Sequence, residues 1–291
     1  MPAPERGDTI FARTLSDEDE RARRVEGVPE PTLWTRLHFA WAVAWFSLAT
    51  IPFSLVQMVT HRLWPTAANF KRWSGRWARV ILGGMGIELD VDDRAGLAAD
   101  EACVFVVNHQ NLLDIFTTAA AIPYPFAYLA KKELTRVPFL SLALRHSPSL
   151  FLDRSSRRAA MRCLAEGAGR LRDGQSVLVF AEGSRSYSPV VYPFKRGAFR
   201  VAAKAGVPVV PVTIRDSYRV MDERRYASRP GTLSLVIGEP VATEEGADAP
   251  AAMAAARKQM ERALAEERRR CGVEEGGEEI AARGTGPSDE P

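Results

Sequence analysis

The strongest constraint on the fold of this 291-residue chain lies between residues 87 and 237, where short apolar runs alternate with segments of helical periodicity. The apolar runs, which are the strand candidates, cover residues 87–91, 102–107, 126–130, 149–152, 176–180, 207–214 and 233–237. The helix candidates between them cover 112–121, 137–145, 155–173 and 196–205. Such β–α alternation predicts an α/β fold, in which helices flank a largely parallel or mixed sheet.

Residues 37–59, "LHFAWAVAWFSLATIPFSLVQMV", form a run of 23 residues without Asp, Glu, Lys or Arg. A helix of about 20 such residues is long enough to span the core of a bilayer. Four tryptophans stand in or beside the run, where interfacial anchors are expected: Trp34, Trp41, Trp45 and Trp64. The alternative is a helix buried in the core of a soluble domain.

Pro52 interrupts this run, and proline removes a helix hydrogen bond. Arginines flank the run on both sides, and positive flanks favour the cytoplasm. Because one crossing cannot keep both flanks there, the pattern favours a helical hairpin that dips into one leaflet and turns near Thr50–Pro52. The expected location is the cytoplasmic face of a membrane, as a monotopic protein or one with a short hairpin.

The next segment, "FKRWSGRWARVI" at 70–81, places apolar and aromatic residues on one helical face among four basic residues. This basic and aromatic pattern is typical of a helix at a membrane interface, although an amphipathic helix packed on a protein core has the same pattern. We therefore predict membrane-associating helices over 31–82, an α/β domain over 83–245 and an amphipathic helix over 246–271. Disordered tails are predicted at 1–30 and 272–291, where polar and acidic residues prevail.

The net charge of +3 understates how basic the body of the chain is. Residues 1–26 carry −2 and residues 272–291 carry −5, which leaves +10 for residues 27–271. A basic body suits an anionic partner, namely nucleic acid, an anionic lipid surface or a phosphorylated substrate. The long apolar run argues against nucleic acid.

The three cysteines are odd in number and lack CxxC spacing, which disfavours a disulfide framework or a zinc site.

The stretch "VVNHQNLLD" at 106–114 joins a predicted strand to a predicted helix and contains His109 and Asp114. Five residues of helix turn through about 500°, so these two side chains cannot meet on one helical face. If the strand ends at Val107, His109 lies in the turn and Asp114 in the first helical turn, where its carboxylate can reach the imidazole. Such a contact would orient a general base. The alternative is an aspartate that only stabilises the start of the helix.

Charged residues follow three other predicted strands. "FAEGSRS" at 180–186 carries Glu182 and Arg185, "FLDRSSRR" at 151–158 carries Arg154, and "LAKKEL" at 129–134 carries Lys131. An arginine can bind a phosphate through two parallel hydrogen bonds. Because ligands of open α/β sheets bind beyond the carboxyl ends of the strands, a base and an anion-binding cluster are expected together there.

These residues resemble the signatures of the glycerolipid acyltransferases, a family typified by 1-acylglycerol-3-phosphate acyltransferase. The first signature, Asn-His-x4-Asp, is matched by "NHQNLLD" at 108–114, and the second, aromatic-aliphatic-acidic-Arg, by "FLDR" at 151–154. The third, Phe-Pro-Glu-Gly-Thr-Arg-Ser, appears as "FAEGSRS" at 180–186. "FKRGAF" at 194–199 and "VPVVPVTI" at 207–214 complete the pattern in family order.

The chain departs from these signatures at three positions. Ala181 replaces the usual proline, Ser184 replaces the usual threonine, and Pro148 stands where a glycine is common before the second signature. These departures bear on the identity of the acceptor rather than on the class of reaction.

The resemblance implies direct acyl transfer without a cofactor. His109, oriented by Asp114, would deprotonate the acceptor hydroxyl as that hydroxyl attacks the acyl thioester, and no GxSxG elbow supports Ser184 as a nucleophile. Arg154, Arg185 and Lys131 would hold a phosphate. The full set of implied substrate-binding residues is Asn108, Lys131, Arg154, Glu182, Gly183, Ser184 and Arg185.

The implied partners are a lipid bilayer, acyl-CoA or acyl-carrier protein as donor, and a lysophospholipid acceptor. The leading hypothesis converts 1-acylglycerol-3-phosphate to phosphatidic acid, and alternative acceptors are a lyso-ornithine lipid, glycerol 3-phosphate or another lysolipid. Two other functions compete with acyl transfer. One is a non-catalytic lipid-binding protein of the same fold, and the other is a glycosyltransferase that binds metal through "DVD" at 90–92.

Overall fold

The computed structural model describes residues 27–98, 101–132, 148–152, 157–243 and 249–270. Its helices are α1 (Leu33–Leu63), α2 (Ala67–Gly84), α3 (Leu113–Ala121), α4 (Arg157–Arg172), α5 (Gly197–Ala205), α6 (Ser217–Val220) and α7 (Ala249–Arg270). Its strands are β1 (Ile87–Asp93), β2 (Val104–Val107), β3 (Phe126–Lys131), β4 (Leu150–Leu152), β5 (Ser176–Phe180), β6 (Val209–Arg215), β7 (Met221–Asp222), β8 (Ala227–Ser228) and β9 (Gly231–Ile237).

The seven predicted strands are all confirmed, within two residues at each end, by β1–β6 and β9. The predicted helices at 112–121, 155–173 and 196–205 correspond to α3, α4 and α5, and α7 corresponds to the predicted C-terminal helix. The helix predicted at 137–145 lies outside the described residues, as do residues 1–26 and 271–291 of the predicted tails.

In the described part of the chain, seven strands form one sheet with the order β1-β9-β6-β2-β5-β3-β4. Strands β6, β2, β5, β3 and β4 are parallel to one another. Strand β9 pairs antiparallel with β6 and parallel with β1, so these two strands run against the other five. The predicted α/β fold with a largely parallel or mixed sheet is therefore confirmed as a mixed sheet.

The centre of the sheet is fully buried, since all four residues of β2 are inaccessible to solvent. Helices α4, α5 and α7 contribute to a core cluster on one side of β2, and a second cluster around Phe105 lies on the other. A parallel strand covered on both faces is apolar along its whole length, which explains the sequence "VFVV".

Helices α1 and α2 form an N-terminal helical hairpin, but it is not the one predicted within residues 37–59. Helix α1 continues through Pro52, and the chain turns at residues 64–66, so the prediction of a turn near Thr50–Pro52 is wrong. The indole of Trp77 in α2 donates a hydrogen bond to Thr50 Oγ1 at 3.1 Å, next to the proline. Packing against α2 thus stabilises the helix where proline removes one backbone bond.

The two helices of this hairpin approach each other closely near Gly84. A Cβ atom at Gly84 would lie 1.9 Å from the indole nitrogen of Trp45, so no larger residue fits there without movement. The same indole donates a hydrogen bond to the carbonyl of Val80 at 2.9 Å, and Trp41 donates to Gly84 at 2.7 Å. These tryptophans therefore join α1 to α2.

One side of α1 carries large apolar residues that the rest of the described structure covers only in part. Leu37, Trp41, Leu48, Leu55 and Val59 are each about half exposed or more, and their spacing places them within about 40° of one another around the helix. By length and composition, α1 is the one helix among the described residues that could cross a membrane.

Candidate active site

The predicted site residues follow strands that end at the same edge of the sheet. Val107 at the end of β2 pairs with Phe180 at the end of β5, and Lys131 at the end of β3 pairs with Leu152 at the end of β4. The parallel register therefore brings the residues that follow β2 and β5 together, as the sequence predicts. Arg154 lies outside the described residues, and so does the side chain of Lys131.

His109 and Asp114 are in contact. Nδ1 of His109 lies 2.7 Å from Oδ2 of Asp114, whose side chain is completely buried in the first turn of α3. Because a carboxylate can only accept, Nδ1 carries the hydrogen, which leaves the lone pair of a neutral imidazole on Nε2. No described residue forms a hydrogen bond with Nε2, and 13 % of the His109 side chain is exposed to solvent.

The rest of the surroundings hold this pair in one orientation. The imidazole stacks on the ring of Phe180, with centroids 4.0 Å apart and planes inclined at 20°. Oδ2 of Asp114 also accepts hydrogen bonds from the backbone N–H groups of Gln110 and Asn111, at 2.5 and 3.0 Å. The carboxylate therefore both fixes the turn of the chain and orients the ring.

Ser217 is a site residue that we did not predict from the sequence. At the start of α6, its hydroxyl donates a hydrogen bond to Oδ1 of Asp114 at 2.6 Å, and its side chain is fully buried. The amide of Asn111 donates to the carbonyls of Ser217 and Met221, at 2.5 and 2.8 Å, which joins this segment to the His109 turn. Ser217 follows β6, whose carboxyl end lies at the same edge of the sheet as the carboxyl end of β2. The rule that ligands bind beyond the carboxyl ends of the strands, here called the strand-end rule, would have predicted Ser217 if it had been applied to β6.

We predict that Ser217→Ala lowers kcat by about three- to tenfold and leaves KM for the acceptor unchanged, because a buried acceptor atom of Asp114 loses its donor. The same loss should reduce the free energy of unfolding by about 1–3 kcal/mol. Steady-state kinetics and thermal unfolding of the variant measure both effects.

Ser176→Ala is the matched control for this prediction. Ser176 is also a buried serine, and its hydroxyl accepts the N–H of Cys103 at 3.1 Å at the opposite end of β5. The control should lose stability and keep kcat. An equal fall of kcat in both variants would show that Ser217 has no specific role in the site.

Asn108 is buried and bonded to the backbone of β6. Its amide nitrogen donates to the carbonyl of Ile214 at 2.9 Å, and its amide oxygen accepts the N–H of the same residue at 2.7 Å. This arrangement favours a role in joining β2 to β6 next to His109. Direct contact of Asn108 with substrate stays a prediction.

Glu182 joins two backbone segments of the site. Oε1 accepts the N–H of His109 at 2.8 Å, and Oε2 accepts the N–H of Tyr192 at 2.9 Å. Burial raises the pKa of Glu182 to about 7, although both hydrogen bonds oppose the shift. Gly183 follows with a φ of +78°, a conformation that favours glycine, and turns the chain towards Arg185.

The segment after Gly183 runs alongside the His109 turn. The N–H of Ser186 donates to the carbonyl of His109 at 2.7 Å, and the N–H of Tyr187 donates to Gln110 at 3.0 Å. These bonds place the preceding Arg185 beside the His–Asp pair, and its side chain is about one quarter exposed. Ser184 is exposed at the same loop.

The structure shows the hydrogen bonds of two residues that depart from the family signatures, Ala181 and Pro148. The N–H of Ala181 donates to the carbonyl of Val107 at 3.1 Å, a bond that proline at this position could not form. Pro148 accepts a hydrogen bond from the guanidinium of Arg170 at the start of the chain leading to β4. The acidic triplet at 90–92 lies in β1, which β9 and β6 separate from β2 in the sheet. Three strand spacings amount to about 14 Å, so the triplet does not contact His109.

The chain is similar to proteins of one enzyme family. A family model for acyltransferases matches residues 88–215. A 1-acyl-sn-glycerol-3-phosphate acyltransferase of Haemophilus influenzae is 32 % identical over 172 residues, which are 58 % of this chain and 69 % of that protein. The enzyme of the same name from Saccharomyces cerevisiae is 33 % identical over 163 residues, 55 % of this chain and 54 % of its own length.

A longer match is to a 1-acyl-sn-glycerol-3-phosphate acyltransferase of Chlamydomonas reinhardtii, 27 % identical over 77 % of this chain and 69 % of that protein. The chain thus spans between about half and about two thirds of these three relatives. A crystal structure of a 1-acyl-sn-glycerophosphate acyltransferase from Thermotoga maritima has the same fold, with a TM-score of 0.72 and 23 % identity over 82 % of this chain and 98 % of that one. The chain therefore belongs to the glycerolipid acyltransferase family and is an acyltransferase.

Proposed function

We propose that the protein transfers a fatty acyl group from an acyl thioester to the free hydroxyl of a lysoglycerophospholipid, with 1-acylglycerol-3-phosphate as the leading acceptor and phosphatidic acid as the product. The observation that carries this proposal is the contact between His109 and the buried Asp114, which lies at the edge of the sheet where Arg185 lies and leaves Nε2 without a hydrogen bond to any described residue. The three relatives described above are 1-acyl-sn-glycerol-3-phosphate acyltransferases, which supports the same acceptor.

In the proposed mechanism, Nε2 of His109 removes the proton of the acceptor hydroxyl as the oxygen attacks the thioester carbonyl. The positive charge that develops on the imidazole is stabilised by the carboxylate of Asp114 at 2.7 Å. When the tetrahedral intermediate collapses, the carbon–sulfur bond breaks and the proton passes from His109 to the departing thiolate. The ester forms directly, so no acyl-enzyme and no cofactor takes part.

Arg185 is proposed to bind the phosphate of the acceptor, together with Lys131 and Arg154. Arginine suits this role because its guanidinium stays charged and can donate two parallel hydrogen bonds to phosphate oxygens. Arg185 follows the loop that Glu182 fixes against His109, so its charge lies on the same loop cluster as the proposed base.

A panel of acceptors tests the proposed substrate class. The purified protein is assayed with acyl-CoA, and separately with acyl-carrier protein, against 1-acylglycerol-3-phosphate, glycerol 3-phosphate, a lyso-ornithine lipid and 1-acylglycerol. We expect the largest kcat/KM with 1-acylglycerol-3-phosphate. A larger kcat/KM with 1-acylglycerol, which lacks the phosphate, would contradict the proposal.

We further propose that the exposed side of α1 binds the membrane that supplies the lysolipid. Its apolar residues form a strip along the helix, and burial of one leucine side chain in an apolar phase stabilises by about 1.5–3 kcal/mol. Helix α2, which packs along α1, adds basic and aromatic residues, as Trp73 and Arg76 illustrate, with the guanidinium 5.0 Å from the ring centroid. The assignment to the cytoplasmic face stays a prediction.

We predict that the double substitution Leu48→Glu and Leu55→Glu releases the protein from membranes without unfolding it. Both side chains are largely exposed, at 66 % and 49 %, so their replacement removes few internal contacts. A carboxylate in place of each leucine opposes burial in lipid. Flotation with vesicles of phosphatidylethanolamine and phosphatidylglycerol measures binding, and thermal unfolding confirms the fold.

The matched control is Met161→Glu with Val190→Glu, because these exposed apolar residues lie on the α/β domain, at 61 % and 54 % exposure. The control protein should float with the vesicles as the wild type does. If the α1 variant floated equally well, the strip on α1 would not be the membrane-binding surface.

A further inference from the structure

Glu223 is a buried carboxylate next to the site, and no family signature includes it. It lies in the turn between β7 and β8, which pair as a two-stranded hairpin over residues 221–228. Its Oε1 atom lies 2.5 Å from Nη1 of Arg185, and its side chain is only 6 % exposed. The proposed phosphate-binding arginine is therefore held by a carboxylate that is 38 positions away in the chain.

The hairpin that carries Glu223 is fixed from two sides. On the side of the His109 turn, the amide of Asn111 donates a hydrogen bond to the carbonyl of Met221 at 2.8 Å. Towards α1, the hydroxyl of Ser228 lies 2.7 Å from Nδ1 of His38, and both groups are buried. Because both ends of the hairpin are tethered, its turn presents Glu223 at a defined place.

An aromatic ring also lies near the arginine. The guanidinium of Arg185 lies 5.9 Å from the ring centroid of Tyr187, and the guanidinium of Arg224 lies 3.8 Å from the same centroid. Arg224 is in turn held by Asp222, at 3.1 Å. The hairpin thus contains two neighbouring acids, and each of them binds a different arginine.

We infer that Glu223 is a positioning residue that orients Arg185 towards the phosphate of the acceptor and thereby sets the preference for phosphate-bearing acceptors. This inference rests on the proposed function. Among the described residues, only Glu223 accepts a hydrogen bond from Arg185, through Nη1, and the other N–H groups of the guanidinium can bind phosphate oxygens. An arginine without such a partner would have to lose the freedom of its long side chain each time an acceptor binds.

The test is Glu223→Gln, which keeps the shape of the side chain and removes its charge. We expect KM for 1-acylglycerol-3-phosphate to rise about tenfold with kcat little changed, because an ion pair is replaced by a weaker hydrogen bond from the guanidinium to an uncharged amide. Turnover of 1-acylglycerol, which has no phosphate, should not change. Glu223→Asp is a second variant, since it keeps the charge but shortens the reach by one methylene, and it should raise KM in the same direction.

Asp222→Asn is the matched control, because it changes the neighbouring acid of the same hairpin, which binds Arg224 instead of Arg185. Its effect on KM should be clearly smaller than that of Glu223→Gln. An equal rise of KM in the two variants would mean that any disturbance of the hairpin has this effect, and the inference would be overturned.

The double variant Arg185→Ala with Glu223→Gln separates this inference from the proposed function. It is preferable to Arg185→Ala alone, because that single substitution leaves the buried charge of Glu223 uncompensated. If the double variant keeps the wild-type KM for 1-acylglycerol-3-phosphate, the phosphate-binding role of Arg185 is wrong. If the double variant raises KM while Glu223→Gln alone does not, only the role of Glu223 is wrong.

Discussion

Replacement of His109 by alanine should reduce kcat by about 10²- to 10⁴-fold, the usual contribution of a general base. The substitution removes the only atom at this position that can take the proton of the acceptor hydroxyl, Nε2. Asp114 keeps three other donors, from Gln110, Asn111 and Ser217, so the turn should remain folded. Single-turnover assays with saturating acceptor measure the loss, and circular dichroism with thermal unfolding measures the fold.

His109→Gln is the control for this variant. A glutamine amide can donate a hydrogen bond to Asp114 as the imidazole does, but it has no basic nitrogen. Both variants should therefore be inactive to a similar degree. Substantial turnover by either variant would show that His109 is not the base.

The second large effect is expected for Asp114→Asn. An asparagine oxygen in the place of Oδ2 can accept the same three N–H groups, and its NH₂ group can donate to the hydroxyl of Ser217. That hydroxyl can then donate to Oε1 of Gln110, which lies 3.0 Å away. The variant should thus keep the hydrogen-bond pattern and lose only the negative charge.

Because the charge stabilises the imidazolium that forms during proton transfer, we expect kcat of Asp114→Asn to fall by about 10²-fold or more with KM for the acceptor unchanged. Kinetics at saturating acceptor and thermal unfolding test this directly. A variant with nearly wild-type kcat would show that Asp114 acts only as a structural residue at the start of α3, which is the alternative that the sequence left open.

The contact between His109 and Asp114 was predictable because its cause is local. A strand that ends at Val107 and a helix that starts near Leu113 leave a turn just long enough to fold the carboxylate back on the ring. The strand-end rule also predicted that Arg185 lies near this pair, since parallel strands place their carboxyl ends at one edge. Both predictions follow from short-range patterns together with the direction of the strands.

The partners of these residues were not predictable in the same way. Ser217 is 103 positions from Asp114, and Glu223 is 38 positions from Arg185, and no spacing rule relates residues so far apart. Which buried serine or glutamate reaches the site depends on how the segment after β6 folds back. Sequence periodicity does not contain that information.

The prediction of a turn near Pro52 is wrong for a related reason. The rule that proline ends a helix considers only the backbone of that helix. In this protein the neighbouring helix α2 packs along α1 on both sides of Pro52, through Trp77 at Thr50 and Trp73 at Phe53. Tertiary contacts between the helices outweigh the loss of one hydrogen bond, and the turn lies at residues 64–66 instead.

The central claim is that His109 deprotonates the hydroxyl of a phosphate-bearing lysolipid for direct attack on an acyl thioester. The most direct measurement incubates the protein with 1-acylglycerol-3-phosphate in vesicles and either acyl-CoA or acyl-carrier protein, with His109→Ala in parallel. Mass spectrometry quantifies phosphatidic acid and the free thiol carrier. We predict equal amounts of both products from the wild type and almost none from the variant. Release of the carrier without phosphatidic acid, or equal product from the variant, would contradict the claim.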